Sequence, residues 1–258
     1  MRIQFLPSTI DSDGKASDRQ HLMTVVVDDC IAVDAGCLAM SCSDQQRESI
    51  RDVILTHPHL DHIAGLPIFI DDLFAQLKEP IRIHATREMI EILERDIFNW
   101  AIYPRFSELS NEYGPVVEYI EFDRGSSFEV KHLRIQSVAV NHKISANGFV
   151  LSDEGSSIAI TGDTAETDEF WRICNSTSDL AAIFVECAFP NEMSDLSIKS
   201  QHLSPDRLRS ELQKVKNKEL PIYIINLKPM YRDSVIEQLI AADIPNLNIM
   251  KIGNVYTF

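Results

Sequence analysis

The segment His57-Pro58-His59-Leu60-Asp61-His62 places three imidazoles and one carboxylate within six residues. Imidazole and carboxylate together suit zinc, manganese or iron, so the first chemistry this chain suggests is metal-assisted. His57 and His59, two residues apart, can point the same way from an extended segment. Asp61 and His62 lie one turn further on and can face a second ion. Pro58 stiffens the loop through its fixed φ, and Gly65 lets the backbone turn into the helix that follows. A surface loop that is merely rich in histidine is the competing explanation. This one, however, follows the strand-like run Asp52–Thr56 and precedes a helical pattern, the context a metal motif needs.

Further ligands must come from distant segments. His142 follows the run Phe128–Val140, and Asp163 sits in Thr161-Gly162-Asp163-Thr164 at the end of the run Ser157–Thr161. Each alone has a plainer explanation: a structural histidine, and a turn-forming aspartate. Beside the first cluster, both read as ligands. Glu186 closes the apolar run Leu180–Val185, where a carboxylate needs a partner. His202 stands just before a helix start, Ser204-Pro205, with Ser as cap and Pro at the first helical position.

The elements that must position these residues follow from periodicity. Runs dense in Val, Ile and aromatics predict strands over Arg2–Leu6, Leu22–Asp28, Ile31–Val33, Asp52–Thr56, Val116–Phe122, Phe128–Val140, Gly148–Ser152, Ser157–Thr161, Leu180–Val185, Pro221–Asn226 and Leu247–Ile252. Helical spacing appears in Phe69, Leu73, Phe74 and Leu77; in Met89, Ile90, Leu93 and Ile97, capped by Thr86; in Leu208, Leu212 and Val215; and in Ile236, Leu239 and Ile240. Two rounds of strands, each followed by helices, predict an α/β fold with two packed sheets and helices outside. Periodicity alone leaves other α/β arrangements open.

The chain has 258 residues with no internal repeat and no linker, so one domain over 1–258 is expected. A net charge of −15 repels a long polyanion unless a basic patch compensates. The only tight basic cluster is Lys214, Lys216 and Lys218 at a predicted helix end, where lysines complement the dipole. DNA is therefore not expected as a partner and RNA is disfavoured, while a small anion on a bound metal is compatible. The apolar run before Pro7 is too short for a signal-peptide core, and no stretch approaches a membrane span. Five scattered cysteines lack zinc-ribbon spacing. A cytoplasmic protein with no membrane partner is expected.

His57–His62 resembles the HxHxDH signature of the metallo-β-lactamase superfamily. Over nearly its whole length the chain is similar to one branch, the class II 3′,5′-cyclic-nucleotide phosphodiesterases. The likeness is carried by Phe5-Leu6-Pro7-Ser8, Val33-Asp34-Ala35-Gly36, Leu55 to Pro67, Ile97-Phe98-Asn99, Thr161-Gly162-Asp163-Thr164, Phe184 to Asn191 and His202-Leu203-Ser204-Pro205. It implies an αββα sandwich of two mixed β-sheets flanked by helices, holding two divalent metal ions, zinc or manganese. It implies that His57, His59 and His142 hold one ion, Asp61 and His62 the other, and that Asp163 bridges them. Asp34 would orient a ligand histidine, although an Asp-Ala-Gly turn at a strand end explains it equally. Relatives carry a last ligand histidine before Leu-Lys-Pro, whereas this chain has Asn226, and no histidine follows His202. An amide oxygen is a weaker ligand than imidazole. The second position is thus open between a loosely held ion, manganese or magnesium in place of zinc, and no ion.

By analogy with the tRNA 3′-processing endonucleases, which share this fold, His202 is the general acid and Glu186 its orienting partner. A metal-ligand role for His202 stays open. The implied activity is hydrolysis of cyclic nucleotides such as cAMP or cGMP to 5′-nucleotides by a metal-bound hydroxide that Asp61 also holds, with Lys228 offsetting phosphoryl charge. The implied partner is a small-molecule cyclic nucleotide, and a homodimer is compatible by resemblance alone. The stretch Phe98, Asn99, Trp100, Tyr103 and Phe106, with Asn191, is the candidate for stacking a base, although core packing is the plainer role for any one aromatic. Two alternatives accompany this reading: an RNA-processing nuclease of the same fold, and a non-catalytic nucleotide-binding or sensor protein. Against the nuclease stand only nine glycines and no glycine- and lysine-rich arm.

Overall fold

The computed structural model describes residues 1–258. The chain first lays down β1 (Arg2–Phe5), β2 (Val25–Val27), β3 (Ile31–Val33), β4 (Asp52–Ile54) and β5 (Ile81–Ala85). A two-residue hairpin, β6 (Ser110–Asn111) and β7 (Gly114–Pro115), precedes β8 (Val117–Glu121). A second series follows: β9 (Ser127–Val130), β10 (Leu133–Ala139), β11 (Asn147–Ser152), β12 (Ser157–Ile160), β13 (Leu180–Glu186), β14 (Ile222–Ile225) and β15 (Leu247–Ile249). The last strand, β16 (Val255–Thr257), returns to pair with β1.

Two seven-stranded sheets result, ordered β16-β1-β2-β3-β4-β5-β8 and β15-β14-β13-β12-β11-β10-β9. Both are mixed in the same way. The first is antiparallel from β16 to β3 and parallel from β3 to β8. The second is antiparallel from β9 to β12 and parallel from β12 to β15. A sheet that changes sense in this way has a switch point, and the carboxyl ends of strands around such a point form the crevice where α/β proteins bind ligands.

The pleat sorts side chains between layers. Along β13, Ala182 and Phe184 join a core of 46 buried residues shared with the first sheet, while Ile183 and Val185 join a second core of 21. Adjacent strands β11 and β12 split the same way, with Phe149, Leu151, Ile158 and Ile160 inward and Val150 and Ala159 outward. Phe5 and Phe184, one from each sheet, meet with ring centroids 5.4 Å apart. The outward core is closed by Phe170 and Trp171 of helix Asp168–Ser176, Leu208 and Leu212 of helix Pro205–Leu212, and Val235 and Leu239 of helix Arg232–Ala241. Helices Leu66–Leu73 and Arg87–Ile92 add Leu66, Phe69, Ile70 and Met89 to the larger core. A sheet buried on both faces explains why its strands read as unbroken apolar runs rather than alternating ones.

Several expectations need correction. The run Phe128–Val140 is two strands, because Lys131 takes a left-handed φ of 53° and turns the chain back on itself. Ser204 occupies the cap position of its helix, but its side chain makes no capping bond. In the helix Arg232–Ala241, Val235 and Leu239 are buried while Ile240 is exposed, so the apolar face lies one residue away from the expected one. Thr86 does cap its helix, accepting from Met89 N, although the helix loosens into a wider turn over Leu93–Ile97.

Candidate metal centre

The side chains singled out at strand ends gather at the crevice. Beyond β4 the chain runs through Leu55 and Thr56 into His57, and His59 stands at the start of a short helix, Leu60–Ile63. This loop is stitched to the segments before β2 and after β3: Met23 N donates to Asp61 O at 2.7 Å, and Ala35 N to His62 O at 2.7 Å. Gly36 permits that approach, since a Cβ there would lie 2.0 Å from Asp61 O. From the second sheet, His142 follows β10, Asp163 follows β12, Glu186 ends β13 and Asn226 follows β14. Gly162, at φ 61°, makes the left-handed turn that swings Asp163 inward.

Three imidazoles converge first. His57 Nε2 lies 3.0 Å and His142 Nε2 3.3 Å from His59 Nδ1, and Asp163 Oδ2 lies 3.7 Å from His57 Nε2. Hydrogen bonds on the far side assign the protons. The Thr56 hydroxyl spends its one proton on Asp34, so at 2.9 Å it must accept from His57 Nδ1–H. His142 Nδ1–H donates to the Gln201 carbonyl at 3.1 Å. Both Nε2 atoms are therefore bare lone pairs aimed at one point. Burial, reinforced by neighbouring rings, pushes His57 well below the ordinary histidine value, and burial foremost also lowers His59 and His142. Neutral rings with converging lone pairs are what a cation requires of its ligands.

A second group shares the same carboxylate. His62 donates Nδ1–H to Asp34 Oδ2 at 2.6 Å, and Thr56 N and Oγ1 hold Asp34 from the other side. Asp34 thus orients His62. The opposite ring atom, His62 Nε2, is fully buried without a hydrogen-bond partner. It lies 3.4 Å from Asp163 Oδ1 and 4.0 Å from Asp61 Oδ2. Leaving such an atom unsatisfied costs about 1–3 kcal/mol, a penalty that coordination would remove. Burial opposes a charge on His62, but Asp163 and Asp34 outweigh it and raise its pKa well above the ordinary value, so a proton on Nε2 must leave before that atom can coordinate. Asp163 is the mirror case: burial favours protonation, yet the surrounding imidazoles hold it well below the usual carboxylate range. The donor set fits divalent ions: three histidines and Asp163 in one group; Asp61, His62 and Asp163 in the other.

Two further contacts bear on the second group. Asn226 Nδ2 donates to Asp163 Oδ1, and Lys228 Nζ lies 3.0 Å from Asp61 Oδ2.

The third group is Glu186 and His202. His202 Nδ1 donates to Glu186 Oε1 at 2.7 Å, and Thr164 N and Leu203 N complete the carboxylate's shell. Nε2 of His202 then faces the centre, 3.9 Å from Asp163 Oδ2. Burial disfavours its charged form, but Glu186 outweighs burial and raises its pKa.

Residues beyond those read from the sequence complete the arrangement. Thr56 is the hinge of the histidine network. Arg207 donates to the His202 carbonyl and to Ser197 Oγ at 2.6 Å each, while its other nitrogens pair with Glu166. Neither a threonine nor an arginine one turn into a helix carries a spacing signal. In the candidate aromatic stretch Trp100 is exposed, whereas other members pack into the fold. Phe98 and Phe106 are buried against each other with Tyr103, and Asn191 spends its amide oxygen on Asp206 N. The aromatics that approach the centre are Phe189, 5.6 Å from the His202 ring, and Tyr231, 5.8 Å from Phe189.

Comparison with known proteins agrees with this geometry. A model of the beta-lactamase superfamily domain matches residues 29–222. A probable 3′,5′-cyclic-nucleotide phosphodiesterase of Yersinia pestis is 25% identical over 230 residues, covering 80% of this chain and 65% of that protein. A 3′,5′-cyclic-nucleotide phosphodiesterase of Aliivibrio fischeri is 27% identical over 215 residues, covering 73% and 62%. The chain therefore spans slightly less than two thirds of these curated relatives. Among solved structures, unliganded yeast PDE1 superposes with a TM-score of 0.77 at 17% identity, covering 98% of each chain, which shows a shared fold.

Proposed function

The chain belongs to the beta-lactamase superfamily, and on that premise we propose that it is a metal-dependent phosphodiesterase that hydrolyses 3′,5′-cyclic nucleotides to 5′-nucleotides. The observation that carries the reading is the position of His202, held by Glu186 and facing the same buried Asp163 that the two ligand groups share. The substrate class rests on the two curated relatives.

His57, His59, His142 and Asp163 would hold one ion. Asp61, His62 and Asp163, with Asn226 beside them, would hold a second. Divalent ions there, zinc or manganese, supply an acidified water and neutralise phosphoryl charge. The protein's own part is to hold and move protons. Asp61, beside the Lys228 ammonium at 3.0 Å, orients the water whose oxygen attacks phosphorus and takes its proton. The P–O3′ bond breaks, and His202 Nε2 supplies the proton to the departing O3′. Lys228 offers its ammonium to the phosphoryl oxygens. Phe189 and Tyr231, their rings inclined by 46°, provide an apolar wall beside His202 for the base.

The test is release of 5′-nucleotide from 3′,5′-cyclic AMP and cyclic GMP by protein supplied with zinc or manganese. Release should vanish in His59→Ala. In His202→Ala it should fall by about 10²- to 10⁴-fold with unchanged metal content. No release from either nucleotide under any of these metals would overturn the substrate assignment.

A further inference from the structure

We infer that the two metal positions are unequal, and that Lys228 is an internal cation which an ion must displace to occupy the second. The inference rests on reading the centre as a divalent-metal site, but not on the substrate.

The two ligand groups differ in how far the protein already satisfies them. In the first, the converging nitrogens of His57, His59 and His142 meet only one another and Asp163, and two of them are bare lone pairs by the proton assignment above. An ion entering there displaces no protein cation. In the second, two of three donors are engaged. Asp61 Oδ2 carries the Lys228 ammonium at 3.0 Å. Asp163 Oδ1, the oxygen nearer His62, accepts the Asn226 amide. His62 Nε2 makes no hydrogen bond, although Asp163 Oδ1 lies 3.4 Å away.

Charge decides the order of filling. The Lys228 and Asp61 side chains are 28% and 29% exposed, so solvent screens their pair only partly. A divalent ion reaching Asp61 meets a unit positive charge on the oxygen it needs. The flexible four-carbon stem of Lys228 allows the ammonium to leave Asp61 Oδ2 for the space where it would meet phosphoryl oxygens, and so yield the position. Asn226 does not replace what is lost, because an amide is a poorer ligand than imidazole or carboxylate and this one donates to Asp163. The first position therefore fills tightly, and the second fills only at higher free metal, in competition with Lys228.

The experiment counts ions directly. The purified 258-residue protein is equilibrated by dialysis against buffered free Zn²⁺ or Mn²⁺ over several decades of concentration, and metal per chain is measured by mass spectrometry. The wild type should show two steps, with one ion retained at low free metal. Lys228→Met should shift the second step to at least tenfold lower free metal and leave the first unmoved. Lys228→Arg, which keeps the charge, should preserve the wild-type gap. Circular dichroism and a thermal melt establish that each variant is folded, and Lys228→Gln serves if the methionine variant is not. Two ions bound with equal affinity by the wild type, or a second step unmoved by removal of the Lys228 charge, would overturn the inference. Binding of no ion at any concentration would overturn the metal reading as well. Failure of the nucleotide assay alone would leave the ion count, and this inference, standing.

Discussion

At the scale of single residues, the centre depends on side chains that touch no reacting atom. Asp34 is the clearest. It accepts from Thr56 N, Thr56 Oγ1 and His62 Nδ1, and through Thr56 it also sets the His57 tautomer. Asp34→Asn replaces an acceptor with an amide that cannot take all three bonds. Metal affinity is expected to fall about 10- to 100-fold, read as a shift of both steps in the ion count, with little change in thermal stability of the metal-free protein. An unchanged affinity would reduce Asp34 to the turn former that its Asp-Ala-Gly context also suggests. What is legible in the sequence at this scale follows from chemistry. The cluster His57–His62 stands out because its donors are contiguous, and His142 and Asp163 because they follow strands. Thr56, Arg207, Phe189 and Tyr231 do not stand out, since their roles come from contacts between residues far apart in the chain.

At the scale of elements, the strands are built to be rigid at the end away from the centre. Asp52 and Arg82 are direct cross-strand partners in β4 and β5. The guanidinium grips the carboxylate at 2.7 and 2.8 Å, and His84 Nε2 adds a bond at 2.9 Å. Burial raises the Asp52 pKa, but Arg82 and His84 outweigh it and hold the carboxyl well below its usual range. A depressed folded-state pKa means a stabilisation that is complete above the unfolded value near 4 and lost as pH falls below it. Asp52→Asn should therefore cost about 3 kcal/mol, the low end for a buried pair because Arg82 is 26% exposed. Urea unfolding should show this difference flat from about pH 5 to 8 and shrinking below about pH 4. A gap constant down to the acid limit would refute the ionic account. The same strands show where sequence reading fails. The run Ile81-Arg82-Ile83-His84-Ala85 alternates as a strand should, but its polar members, half-buried Arg82 and buried His84, are partners of Asp52 rather than solvent-facing groups. Strand β16 is only three residues long, too short for a periodic signal, and pairing with β1 makes it a strand.

At the scale of the whole molecule, the donors are divided between the sheets. His57, His59, Asp61 and His62 follow a strand of the first, whereas His142, Asp163, Asn226 and the Glu186–His202 pair belong to the second. Metal held by these donors would be a clamp between layers that are otherwise joined by apolar packing. Stripping a tight ion should lower the melting temperature. At an ion concentration 100 times the dissociation constant the linkage is about 2.7 kcal/mol, or roughly 5–10 °C for a chain of this size. Calorimetry with and without a chelator checks it, and equal melting temperatures would mean that the ion adds nothing to cohesion. The division has one more consequence. The chain passes from the first sheet to the second through the exposed turn Asp123-Arg124-Gly125. Cut there, the molecule becomes two fragments, each with part of the donor set and most of one wall of the core, the C-terminal fragment also carrying β16 of the first sheet. Their reassembly would draw on the Phe5–Phe184 layer for affinity and on the shared carboxylate for register. Complementation between the halves would then report free metal, turning a catalytic centre into a coincidence detector.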